Sequence, residues 1–337
     1  MTDTSSFEFE QEGHDDLLTD DNFHQPETSE WWEHETVWFW WFNAERRLGA
    51  WNYHYLRPNI GVSGGGLFIF DDTAWSHLEV PYYFSYSNQP IPEAPDLRDF
   101  TFPGGERFQM LDPLEHYRIS FADSDSIKLD LDWRAAAKPW VRVSTQPHTK
   151  QGDQSAKPRH FDQFGRVTGT LELHGESIDI DCFAMRDRSW WHLRPEFWKR
   201  GGGTSTYITC MVDPGTAFFG SGPGGFLVLD GVRRPLVTGS VRRERNKEHG
   251  YMTSIVVTGT DDEGRDFEAV GESVSRMAMP ISGVAGVCWQ SLVRYELNGI
   301  EGYGDDQDAW PLSTWAAFRR TERGLPDGRS ARFGPID

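Results

Sequence analysis

Five aromatic residues in succession, Trp38, Phe39, Trp40, Trp41 and Phe42, constrain this chain more than any other stretch. Ring after ring with no polar residue between them leaves a strand without a wet face. Such a strand is stable only where both faces are covered. A barrel interior on one side and a neighbouring domain on the other would supply that cover. The run belongs to a longer block, Trp31 to Tyr55, which reads WWEHETVWFWWFNAERRLGAWNYHY. Aromatic rings bury large areas, and their π faces stabilise a passing cation. For any single tryptophan, core packing competes evenly with a ligand role. As a group they exceed what core filling needs, so some of Trp32, Trp38 and Trp40 are expected to line a pocket for a hydrophobic small molecule.

Elsewhere the dominant period is two. Ile127, Leu129, Leu131 and Trp133 alternate with Lys128, Asp130, Asp132 and Arg134, and a similar alternation runs from Val167 to His174. Alternation of this kind marks strands with one buried and one wet face. Turn signals recur at Gly64-Gly65-Gly66, Pro103-Gly104-Gly105, Gly201-Gly202-Gly203 and Asp230-Gly231. With no long amphipathic helix in view, the fold class is all-β: two tandem antiparallel domains. The polar stretch His148–Arg159 makes the boundary. The division is then an acidic flexible tail over 1–25, a first β domain over 26–150, a second over 160–323 and a tail over 324–337.

Charge narrows the partners. The 337 residues carry 52 acidic against 33 basic side chains, a net charge of −19. That surface repels phosphate backbones and anionic headgroups, which disfavours nucleic acid and membrane docking. No apolar run approaches the ~20 residues of a membrane helix, so no stable membrane insertion is expected. Cys182, Cys210 and Cys288 lie far apart, without the close pairs of a zinc site or an even disulfide set. A reducing, cytoplasmic setting fits, and a homodimer is compatible with the sequence. Glu33, His34 and Glu35 look like metal ligands, but neighbours on a strand point to opposite faces, so no metal is expected there.

The segment Ile180–Pro195, IDCFAMRDRSWWHLRP, carries the chemistry. Read as a strand, it puts Phe183, Met185 and Asp187 on one face, with Arg186 and Arg188 on the other. A carboxyl facing an apolar interior is disfavoured as the anion, and a protonated acid can deliver a proton to an alkene or a leaving hydroxyl. Trp190 and Trp191 would shield a carbocation, and Arg188 is a candidate contact to substrate. An arginine partner or a turn cap for Asp187 is the plainer alternative.

The run RVTGTLELHGESIDIDCFAMRDRSW (Arg166–Trp190) resembles the second-domain signature of the carotenoid 1,2-hydratase-like group, which includes tocopherol-cyclase-like and AttH-type lipocalin-like proteins. Asp187, Arg188, Ser189 and Trp190 match its motif, and Asp187 falls on the aspartate proposed in hydratases as proton donor. Glu30, Trp31 and Trp32 match the first-domain entry, and Gly299, Gly302 and Gly304 the closing strand. The resemblance implies two lipocalin-like β domains with a hydrophobic ligand between or within them. It also implies hydratase, cyclase or pericyclase-like chemistry on polyenes and terpenoids. Two positions depart from the pattern, Trp191 and Ala184, where the group carries glycine. A tryptophan there narrows the space beside the acid, which favours a terpenoid, steroid or polycyclic phenolic over a long carotenoid.

Asp187 would be the general acid, with His192 or Tyr53 as partner and Tyr55 as a further contact to a substrate oxygen. His116 and His160 are expected to be structural. The glycine runs lack a strand–loop–helix context for phosphate, and no G-x-S-x-G elbow is present. The leading expectation is therefore a cofactor-independent acid–base enzyme. A carrier of a hydrophobic metabolite comes second, and a carbohydrate-active protein, with exposed tryptophan platforms and paired acids, third.

Overall fold

Two β bodies are stacked face to face, and the aromatic run lies where they meet. The computed structural model describes residues 21–124, 126–144, 157–193, 205–281 and 286–325. The first body comprises β1 (Glu33–Asn43), β2 (Leu48–Arg57), β3 (Val62–Phe70), β4 (Tyr82–Pro90), β5 (Phe100–Thr101), β6 (Arg107–Asp112), β7 (His116–Asp123), β8 (Ile127–Ala135), β9 (Trp140–Ser144), β10 (Lys157–Leu173) and β11 (Glu176–Leu193). They form one 11-stranded sheet in the order β4-β3-β2-β1-β11-β10-β8-β7-β6-β5, with β9 on the flank of β10. The sheet curls until its ends meet through side chains. Tyr82 of β4 donates its hydroxyl to Asp123 of β7 at 2.8 Å, and Phe84 lies 6.0 Å from Phe121.

The second body comprises β12 (Ser205–Asp213), β13 (Thr216–Phe219), β14 (Phe226–Leu229), β15 (Val232–Arg245), β16 (Met252–Asp261), β17 (Asp266–Ile281), β18 (Gly286–Leu297) and β19 (Ile300–Pro311), closed into a barrel by pairing of β12 with β19. A helix, α1 (Leu312–Glu322), follows; its Trp315 and Phe318 pack on Trp310 at 5.4 and 5.3 Å. The all-β reading holds. Two-residue turns make the longest hairpins. His174 and Gly175 between β10 and β11, and Asn298 and Gly299 between β18 and β19, all have positive φ, the geometry that matches strand twist.

The expected domain boundary is corrected. β10 and β11 open no second domain: β10 pairs with β8 and β11 with β1, in the heart of the first sheet. The bodies divide between Leu193 and Ser205 instead. A loop between strands of one sheet and a linker between domains share the same polar composition, so composition could not separate them. The expected N-terminal tail is shortened too. Asp21 is fully buried, bonded to Arg186 and to the backbone N–H of Leu114, which locks the segment that follows into the fold.

The aromatic run is covered on both faces, as its composition demands. Phe39 packs inside the curl against Phe108, Tyr117 and Trp133 at 5.4, 5.4 and 6.0 Å. Trp38 and Phe42 face the barrel, meeting Tyr207 and Tyr303, each at 5.5 Å. Barrel residues Met211, Phe219, Met277 and Leu292 join these rings in one continuous apolar core. Trp38 and Trp40 are each 1% exposed. Truncating either to alanine would cost about 3–5 kcal/mol.

Candidate functional site

Strand register assembles the site. Directly opposed residues on antiparallel strands emerge on the same face, about 5 Å apart. Tyr53 of β2 opposes Trp38 of β1, Trp38 opposes Asp187 of β11, Asp187 opposes Asp162 of β10, and Asp162 opposes Trp140 of β9. One row thus crosses five strands on the face turned to the barrel. The barrel answers with Tyr207 of β12, whose hydroxyl donates to Asp162 and lies 3.2 Å from the Met185 sulfur. His160 completes the group, its Nε2 2.8 Å from Asp162 Oδ1.

Asp162 is fully buried, while Asp187 and the ring of His160 are part-exposed. The cluster sits where the two bodies meet, with Asp187 and His160 keeping partial exposure beside the closed Asp162. Two carboxyls directly opposed repel when both are ionised. The imidazole and the phenol hydroxyl placed on Asp162 offset that repulsion. His160, Asp162 and Asp187 each present a ligand atom within 4.8 Å of the others, a set that could be considered for a metal. Two of those atoms, His160 Nε2 and Asp162 Oδ1, already bond to each other. As they stand, His160, Asp162 and Tyr207 form a hydrogen-bonded network through which a proton can be shared.

The opposite face of β11 is a closed ionic core. Arg186 lies among Tyr117, Trp133 and Phe161 at 4.8–4.9 Å and binds Asp21 and Gln163. Arg188 binds Glu35, Thr36 O at 3.1 Å, Asp21 O at 2.7 Å and Asn22 O at 3.0 Å. Burial pushes the Asp21 carboxyl up, but the charge and hydrogen bonds of Arg186, with Arg188 behind, outweigh it and hold it below the usual range. These anchors fix β11 so that Asp187, between them in sequence, is presented from a rigid strand.

Of the residues expected at the site, Asp187, Trp38 and Tyr53 share one row. Trp40 and Tyr55 lie on the same face in neighbouring rows, with Tyr55 against Gly64. Arg188 is not among them; the period of a strand sends it to the far face. Trp190 and Trp191 are not brought to Asp187 either. A β-bulge between His34 and Thr36 shifts the register there, and Trp191 takes a φ of +56°. Trp190 stacks on His24 at 4.6 Å, and Trp191 donates its Nε1 to Gln25 O at 2.8 Å. Trp32 lies ahead of β1, edge-on to Trp31 at 5.3 Å. His192 pairs with His34 along β11, and its side chain lies outside the described residues.

Glu33 and Glu35 bind the chain that precedes them. Glu33 accepts from the Glu27 and Thr28 N–H groups, and Glu35 from His24 and Arg188. Sequence reasoning missed Asp162 and Tyr207 and set His160 aside as structural. The one signal that could have found Asp162 and His160 was the β10–β11 turn at His174-Gly175, which counts back to place Asp162 opposite Asp187. A groove of about 450 Å³ on the barrel, lined by Thr238, Thr258, Thr260, Asp266 and Phe267, offers no acid–base pair.

A curled sheet and a closed barrel, joined along an aromatic seam with carboxyl, imidazole and phenol groups at its rim, define a two-body lipocalin-like β protein. The chain belongs to the family described as domain of unknown function DUF7064, whose model matches residues 18–311. No curated protein matches it in sequence. Among solved structures, it is similar to a protein of Nitrosomonas europaea assigned as AttH, at 17% identity over 82% of this chain and 91% of that one, with a TM-score of 0.50. It is also similar to CghA, solved with Sch210972, at 12% identity over 88% and 89%, TM-score 0.48. Kievitone hydratase of Nectria haematococca follows at 12% identity over 85% and 90%, TM-score 0.47. The AttH likeness is one of fold, and it agrees with the lipocalin-like architecture expected from the Arg166–Trp190 motif. Among the described residues, no helix is long and apolar enough to cross a membrane.

Proposed function

We propose that this protein is a cofactor-independent acid–base enzyme, a hydratase, dehydratase, isomerase or cyclase acting on a hydrophobic unsaturated small molecule. The observation that carries the reading is the Asp187–Asp162–His160–Tyr207 cluster beside Trp38. A carrier has little use for two opposed carboxyls backed by an imidazole. In the forward sense of a hydration, Asp187 gives its proton to an alkene carbon, and the π face of Trp38 stabilises the cation that forms. Water adds to that cation, and its proton passes to the Asp162–His160 pair and back to Asp187. Dehydration runs the same steps in reverse. A cyclisation replaces water with an internal nucleophile. Apolar walls favour a terpenoid, steroid or polycyclic phenolic substrate and keep competing water scarce.

The experiment is incubation in D2O with panels of these three classes, followed by mass spectrometry. Wild type should place deuterium on carbon, and Asp187→Asn should lower that rate roughly 10²–10⁴-fold while leaving binding intact. Binding without isotope or mass change in either protein would establish a carrier instead.

A further inference from the structure

The barrel wall that faces the Asp187 row holds a second set of polar groups. Tyr207 opposes Gln307 of β19, and Gln307 opposes Gln290 of β18, so the three side chains form one row. That row faces the sheet, because Cys288 and Leu292, which flank Gln290 on its own face, share a core with Trp38 and Trp51. Gln290 is 0% exposed, yet its Oε1 has no hydrogen-bond partner. Its amide cannot simply turn over. Nε2 donates to Asp305 Oδ2 at 3.2 Å, and that carboxyl collects further donors from Thr209 and from Gln307 at 3.0 Å. A carboxylate oxygen requires the NH₂ end, so Oε1 is aimed away from Asp305. The indole N–H groups of Trp38 and Trp51, on the facing sheet, are likewise buried and unpartnered. Leaving a buried polar group unpaired costs about 1–3 kcal/mol. Indole N–H groups are unpartnered elsewhere too, at Trp133 and Trp310, so the weight falls on the Gln290 oxygen, whose direction Asp305 fixes.

We infer that Gln290 is a second polar anchor for the substrate, its Oε1 accepting from a hydroxyl on a flat two- or three-ring molecule whose reacting carbon lies at Asp187. The inference rests on the acid–base reading of that centre. Two strand spacings separate Gln290 from Tyr207, about 10 Å along the wall, which matches the length of such a ring system. The aromatic sheet face opposite suits a planar ligand, and the unpartnered indole N–H groups suit a carbonyl or ether oxygen on it. Asp305 acts through Gln290 as a positioning residue.

Flavone and 7-hydroxyflavone, which are planar and differ by one hydroxyl, test this by calorimetric titration of the full-length protein. Wild type should bind the hydroxylated compound about five- to thirtyfold more tightly. Gln290→Met, close in shape but without the acceptor, should bring the ratio to about one, while Asp187→Asn should leave it unchanged. Gln290→Asn, which withdraws the amide by one methylene, reads the same ratio if Gln290→Met does not fold. An unchanged preference in the Gln290 variants, or no binding of either flavone by wild type, overturns the inference. Loss of the preference beside normal turnover by Asp187→Asn would uphold the anchor and overturn the acid–base reading.

Discussion

Two fully buried aspartates, Asp21 in the curled sheet and Asp305 on the barrel wall, meet opposite environments. Asp21 has Arg186 and Arg188 for company, and their charges and hydrogen bonds hold its carboxyl below the usual range despite burial. Asp305 has neutral donors only, Thr209, Gln307 and Gln290, and burial dominates, pushing its carboxyl up to about 6. Depth alone therefore does not decide the state of a buried acid; the charge of its partners does. The sheet keeps its buried charge paired and inert. The seam instead holds a buried acid among neutral donors, where it can take up a proton.

The largest test of that contrast is Arg186→Met, which leaves Asp21 buried beside a more distant Arg188. Denaturant unfolding should show a loss of about 3–5 kcal/mol, as expected for an uncompensated buried charge. A loss under 1 kcal/mol would mean that the ionic core of the sheet is not what secures the N-terminal segment.

Next in size is the response to pH, where the two acids differ in sign. Asp305 is raised from 3.8 to about 6, so its folded form holds the proton more tightly than the unfolded chain. Its contribution is full below the unfolded value and declines as pH rises through about 6. A rise of that size corresponds to about 3 kcal/mol at most. Asp21 is lowered, so its contribution is present above the unfolded value and disappears only as pH falls below it. Thermal melts from pH 7 down to 4 should therefore show wild type gaining on Asp305→Asn. Arg186→Met removes the main partner that holds Asp21 down, so burial raises that carboxyl and the deficit of this variant should shrink as pH falls. Parallel melts of wild type and Asp305→Asn would show Asp305 to be ionised throughout.

The smallest effect is expected for Tyr207→Phe, which removes one hydrogen bond across the seam. Stability should fall by about 0.5–1.5 kcal/mol, measured by denaturant midpoint. Deuterium incorporation should fall with it if the barrel completes the centre. An unchanged rate would confine the chemistry to the sheet.

Much of this arrangement was legible in the sequence. Period-two alternation identified the strands, and five consecutive rings required cover on both faces, which the curl and the barrel provide. The same alternation put Asp187 opposite in direction to Arg186 and Arg188, as found. Local pattern failed where a partner strand decides. Trp190 sits beside Asp187 in the chain, yet it follows Arg188 to the far face, and a bulge with positive φ turns Trp191 to the N-terminal segment as well. His160 and Asp162 sit 27 and 25 residues from it, yet pairing of β10 with β11 brings them alongside.

By itself, then, the sequence determined the strand class, the two-sided burial of the aromatic run and the opposite directions of Asp187 and its two arginine neighbours. Each follows from the alternation of one strand, a local property of the backbone. The division into bodies, the partners of Asp187 and the polar wall at Gln290 were decided by the tertiary structure. Register and stacking depend on which strands pair, and a polar loop or a lone histidine carries no record of that choice.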